Sequence, residues 1–404
     1  MKLNVKSNTW WGPPRNFSTE LEDRKVSWLE LFYDLVYVIA IAQITHQLAA
    51  HVSPLGLIDY MYFFAMIFWG WLNGSLYHDL HASSGLRTRL MTLWQMLIIA
   101  ALVITLESPP EQVVFNVTIV LMVMQLYITY LWWSVGFYDK YHRKLNKPYT
   151  IIYLLSLALM GTTLFLKQPY IRLVFFVTLL LNYLPPFATQ RFVLNRETIQ
   201  MNLSASMSER LGLFTIIVFG EVITGVIGGV GALHQLSFRI WMNFGLAVMI
   251  VFALWWLFFT LTSDRPCKPG FVNSSLLEIL YIPTLIGLGL IGMALGGLFG
   301  GEFHSKIAWL TPKTIFGSAL CLYFVGIAAM MYFLDYPSKY MRLKKRAQAI
   351  LLLAALVFLA MALVEFHFSL LVYLLLVLGL IIGIILLLNY HWYVLHAQAK
   401  DRPD

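Results

Sequence analysis

The chain has 404 residues, 59% of them apolar and only 12% charged, and its mean hydropathy is +0.73. Soluble domains carry roughly 25% charged residues, so a water-soluble globular protein is excluded, and the apolar content excludes a disordered chain. The formal charge of +8 reads as membrane topology rather than a nucleic-acid footprint, because basic residues gather in cytoplasmic loops.

A helix needs about 20 mostly apolar residues to cross a hydrocarbon core about 30 Å thick. Twelve stretches reach that length. Six lie at 28–48, 54–77, 87–106, 112–134, 149–166 and 170–187, and six more at 210–230, 238–262, 275–299, 313–334, 348–365 and 369–391. A polar arm (1–26) precedes the first half (27–187), a polar link (188–209) joins it to the second half (210–391), and a tail (392–404) follows. The expected fold is an all-α polytopic membrane protein of about twelve transmembrane helices in two six-helix halves, with the lipid bilayer as its surroundings. One set of loops, with the arm and tail, holds 23 basic residues; the opposite set holds five, Lys167, Arg172, Arg239, Lys306 and Lys313. Positive-inside counting therefore puts both termini in the cytoplasm. The first span lacks a small-residue cleavage pattern and is expected to remain as a helix. The Asn-x-Ser/Thr triplets at Asn16, Asn116, Asn202 and Asn273 fall in the cytoplasm or in spans, so none is read as a glycosylation site.

The halves echo one another. Leu31-Phe32 opens the first span as Leu213-Phe214 opens the seventh, and Trp71 and Asp79 repeat their spacing in Trp256 and Asp264. Halves that both begin inside would be parallel repeats, although membrane composition alone also yields such matches.

Three acids sit where lipid penalises charge: Glu30 and Asp34 in the first span and Glu221 in the seventh. A charge at the bilayer centre costs at least ~2.5–3.5 kcal/mol, so each needs a partner, a proton or water. Ser27, Glu30, Asp34, Tyr37 and Thr45 share one helical face, with His46 and Gln43 on another. Counted from Trp28 as the interface, Asp34 lies about 9 Å deep. Counted from Arg210 as the interfacial residue, Glu221 lies about 16 Å deep, near the midplane. Glycines crowd around it at Gly220, Gly225, Gly228, Gly229 and Gly231, a run that either breaks the helix, as in transporter sites, or lets helices pack closely. In the ninth span, Gly292, Gly296 and Gly300 form a small-residue ridge read as a packing face, and Pro283 is expected to kink that span. His78 and His81 flank Asp79 at a membrane edge and are read as solvated, since no second cluster completes a metal site. The tryptophans at 69, 71, 255 and 256 read as core and interface anchors, and the last two spans as a lipid-exposed hairpin. Cys267 and Cys321 are too few for a disulfide framework or a thiolate site. No cofactor or nucleotide motif is present, so no cofactor and no metal is expected.

The segment from Ser27 to Val38 (SWLELFYDLVYV), that from Glu209 to Glu221 (ERLGLFTIIVFGE) and Ala253-Leu254-Trp255-Trp256-Leu257 resemble three sequence blocks of the bacterial low temperature requirement protein A family. The chain departs from the family pattern where relatives carry an Asp-rich stretch, here His78-Asp79-Leu80-His81; where they carry an aspartate, here Thr260; and where they carry a histidine, here Tyr281-Ile282-Pro283. If those positions form a relay in relatives, part of it is missing here. The resemblance implies a multi-pass protein of the bacterial inner membrane, but no settled activity, because the family name records growth in the cold.

The leading functional expectation is a transporter or channel for a small solute or ion, its pathway lined by Glu30, Asp34, Tyr37, Arg210 and Glu221. The rival classes are a membrane-embedded or lipid-handling enzyme using the acids as general acid and base, and a membrane scaffold in which they are structural.

Overall fold

The computed structural model of the chain describes residues 26–81, 85–138, 142–167, 169–194, 202–233, 235–263, 265–364 and 368–400. The N-terminal arm through residue 25, which includes Asn16, as well as Asp264 and the last four residues, lies outside them. The described residues are all-helical, with two isolated β-bridges and thirteen α-helices. These are α1 (Trp28–Ala50), α2 (Pro54–His81), α3 (Leu86–Leu106), α4 (Pro110–Tyr138), α5 (His142–Thr162), α6 (Tyr170–Tyr183), α7 (Pro185–Phe192), α8 (Ala205–Gly231), α9 (Phe238–Thr262), α10 (Phe271–Leu298), α11 (Pro312–Phe333), α12 (Met341–Leu363) and α13 (Leu370–Lys400). Ten are long and apolar enough to cross a membrane, so the chain is a multi-pass membrane protein; α6 and α7 together bring the number to eleven. Helix α5 has the length, but Arg143, Lys144 and Lys147 dilute its apolar run.

The helix starts follow from the sequence. Ser27 and Glu30 form a reciprocal cap on α1: the Glu30 carboxylate accepts the Ser27 N–H at 2.9 Å, and Ser27 Oγ accepts the Glu30 N–H at 3.4 Å. Ser53 Oγ accepts Gly56 N–H at the start of α2, Ser204 Oγ accepts Met207 N–H at α8, and Thr311 Oγ1 accepts Thr314 N–H at α11. The sixth expected span is broken. Pro185 and Pro186 follow Leu184, where α6 and α7 meet at 45°, because proline lacks the N–H that would continue the ladder and crowds the residue before it.

The chain forms two compact units, Met1–Ile44 with Ile58–Phe214 and Pro269–Ser275, and Thr45–Leu57 with Thr215–Lys268 and Leu276–Asp404. Helices α1, α2, α8 and α10 contribute to both. In the first unit α4 packs on α3 and α5, and α5 on α6 and α7. Its interior holds a polar network: the Asn73 side-chain oxygen accepts from Trp132 Nε1 (3.0 Å) and Tyr153 Oη (2.7 Å), while Gln125 and Asn182 exchange amide hydrogen bonds at 2.9 and 3.0 Å.

In the second unit α12 packs on α11, and α13 on α9. Here α8 meets α10 glycine to glycine. A Cβ added at Gly296 would lie 2.8 Å from the Gly225 carbonyl oxygen, and one at Gly225 would lie 2.8 Å from that of Gly292. The small-residue ridge is thus a backbone contact through Gly292 and Gly296. Gly300 instead has φ +90°, a conformation that favours glycine. The glycine run does not break α8, which is continuous from Ala205 to Gly231.

Candidate functional site

The first unit buries an ion pair within its spans. Asp34 on α1 and Arg210 on α8 are both fully buried, with Arg210 Nη2 2.5 Å from Asp34 Oδ1 and Nε 3.5 Å from Oδ2. Trp71 Nε1 on α2 donates to the same Oδ1 at 2.7 Å. Glu30, one turn before Asp34, places Oε1 3.6 Å from Arg210 Nη1, while its other oxygen accepts from the Ser27 backbone and hydroxyl. Arg210 is therefore enclosed by the protein. Helix α8 starts only five residues before it, but the guanidinium lies among aromatic rings, 5.5 Å from the centre of Tyr33 and 5.7 Å from that of Trp71. The Trp71 ring in turn packs on Phe214 with centroids 4.4 Å apart. Dry surroundings strengthen an ion pair and raise the cost of breaking it.

Several buried polar atoms in this unit lack a well-formed hydrogen bond. They belong to Tyr37, whose hydroxyl lies beside Tyr33 and Gln95, to Ser75, to Gln95 (through Oε1) and to Ser206, while Arg210 Nη1 has only its 3.6 Å ion-pair contact with Glu30. Tyr37 is fully buried with its ring 4.7 Å from that of Tyr33. Gln95 donates through Nε2 to the Gly70 carbonyl at 3.2 Å, and the Tyr33 hydroxyl lies 3.4 Å from the same carbonyl. Ser75 follows Gly74, where an added Cβ would strike Tyr33 and Gln95, and Ser206 lies one turn before Arg210. Buried polar atoms are nearly always paired with protein or water, so this concentration marks a place suited to a polar guest.

The structure does not gather Glu221 around Arg210. In the second unit its carboxylate lies 3.6 Å from His46 Nε2, and the two side chains are 25% and 57% exposed. His46 thus has a role in the polar pattern of α1 that its helical face did not suggest. His78 and His81 are buried rather than solvated. The Thr92 hydroxyl donates to the Thr88 carbonyl at 2.9 Å, so at its 3.0 Å contact with His78 Nε2 the histidine is the donor. Asp79 accepts from Ser204 at 2.6 Å, which ties the end of α2 to the start of α8. Of the four tryptophans, Trp69 and Trp71 are core, while Trp255 and Trp256 are partly exposed. Glu278 in α10 is a further buried acid that span-depth reasoning passed over, since it lies close to the expected span start. Among the described residues no group of three His, Cys, Asp or Glu is arranged to hold a metal.

No curated protein matches the chain. The model of the bacterial low temperature requirement A protein family (LtrA) matches residues 25–387, nearly its whole length, and the chain belongs to that family.

Proposed function

We propose that this protein is a transporter or channel for a small solute or ion in the bacterial inner membrane, with the Asp34–Arg210 pair as the charged element of its pathway. The observation that carries this reading is the group of buried polar atoms on Tyr37, Ser75, Gln95 and Ser206 that lack a well-formed hydrogen bond, in the unit that buries the Asp34–Arg210 ion pair. In a bilayer, polar atoms are left without protein partners chiefly where a water-filled or ligand-filled interior supplies them. Acceptors and donors occur together there, which suits a small polar solute or a hydrated ion. Glu30 is the acid at the start of α1, and Glu221 with His46 supplies a second polar position. The 23-to-5 distribution of basic residues supports a twelve-span topology with both termini cytoplasmic, α5 and the bent α6–α7 pair each counting as one span. Parallel six-helix repeats fit that even count.

A scaffold role has one specific point in its favour: the Ser27–Glu30 cap and the Trp71 contact satisfy both carboxylates as structural groups would be satisfied. Flux separates the two. Proteoliposomes holding the full chain should move at least one member of a panel of alkali cations, protons and small anions faster than protein-free vesicles. Asp34→Asn should abolish that flux while the protein still inserts. Wild-type vesicles as tight as empty ones across the panel would reject transport.

A further inference from the structure

The second unit contains a cavity of about 240 Å³ at the ends of α9, α11 and α12 and beside α13, with Arg265, Lys344 and Tyr336 at its polar side and Trp256, Leu261 and Leu388 among its apolar wall. Lys344 is buried, and its ammonium donates to the Leu334 carbonyl at 2.9 Å, closing the end of α11. The Arg265 guanidinium stacks 4.1 Å from the Tyr336 ring centre, and its Nε has no hydrogen-bond partner. Burial pushes the Tyr336 hydroxyl up to about 12, against the pull of Arg265, so it stays neutral and donates to the Leu261 carbonyl at 2.7 Å. Lys268 adds a third cation, 4.5 Å from the Tyr332 ring centre. None of these three cations is ion-paired with a carboxylate among the described residues. The start of α12 adds Arg342, Lys345 and Arg346, and its first turn holds no acidic residue to offset the positive end of the helix dipole.

We propose that this cavity binds an anionic phospholipid, with its phosphate against Arg265 and Lys344 and the start of its acyl chains on the apolar wall. A free anion would need only the cations. The wall of Trp256, Leu261, Ile385 and Leu388 adds a surface that only an amphiphile uses, on helices whose neighbouring residues Phe252, Leu386 and Leu387 are exposed and apolar. Basic pockets between transmembrane helices are suited to anionic headgroups. The proposal is independent of what the first unit transports.

The test is native mass spectrometry of the delipidated full-length protein with added phosphatidylglycerol or phosphatidylcholine of matched chains. Wild type should retain phosphatidylglycerol at least about fivefold better, and Arg265→Gln should remove most of that preference. Leu388→Trp, which fills the cavity and keeps every charge, should lower retention as well, and decides the matter if Arg265→Gln does not fold. Retention should persist in excess inorganic phosphate. Equal retention of the two lipids, indifference to both substitutions, or displacement by phosphate would overturn the assignment.

Discussion

Arg210→Met should lower the stability of the protein in detergent by about 3–5 kcal/mol, the cost of breaking a buried pair from one side. The substitution keeps much of the side-chain volume, so packing loss is small and the effect isolates charge. It leaves the Asp34 carboxylate fully buried with Trp71 Nε1 as its remaining close donor, and removes the cation beside Glu30. Asp34→Asn on the Arg210→Met background should then recover part of the loss, because the stranded charge is gone. Thermal unfolding of the two variants beside wild type checks both statements. An unchanged midpoint in Arg210→Met would mean that water reaches the pair.

Gly296→Leu should also be damaging, for a different reason. Its first added carbon would lie 2.8 Å from the Gly225 carbonyl oxygen, backbone that cannot rotate aside, so α8 and α10 must separate. Overpacking a close-fitted core costs typically 1–3 kcal/mol and more where backbone must move, and the yield of folded protein should fall steeply. Gly228→Ala is the control. Nothing lies within 4 Å of a Cβ there, so it should be neutral or stabilise α8 by up to about 1 kcal/mol, the usual helix preference of Ala over Gly. Equal folded yields for Gly296→Leu and Gly228→Ala would contradict the packing geometry.

Much of the helical architecture was legible because a bilayer demands long apolar runs, and these runs survive any error in their exact ends. The acid stripe of α1 was legible too, since Glu30, Asp34 and Tyr37 fall on one face at 100° per residue and all three are buried. Their partners were not. Asp34 meets a residue 176 positions away, and no local pattern shows which of 28 basic residues a buried acid will draw in. Counting from the start of the hydrophobic run gave Arg210 a depth but not its burial inside the protein, one turn after the polar start Ala205–Ser208 capped by Ser204. The break at Leu184 did have a signal in Pro185-Pro186, outweighed by the apolar run around it. Polar residues within the other spans, Asn73, Gln95, Gln125 and Asn182, were also visible signals of a hydrogen-bonded interior. Attention to charge alone left them unread. The glycine run around Glu221 admitted two readings. Only the positions of Gly225 and Gly229 against the backbone of α10 decide for close packing.

Tyr37→Phe, assayed for stability and flux in the same preparation, tests the central claim most directly. The Tyr37 hydroxyl is buried beside Tyr33 and Gln95 without a well-formed hydrogen bond, so its removal takes away a desolvated polar group and little packing. If the group serves only the fold, Phe should be neutral or stabilising, by up to about 1–3 kcal/mol, with no other consequence. The account predicts an unfolding midpoint equal to or above wild type together with a clear fall in solute or ion flux, because on the proposed function the permeant contacts this hydroxyl. A midpoint held or raised with flux unchanged would contradict it.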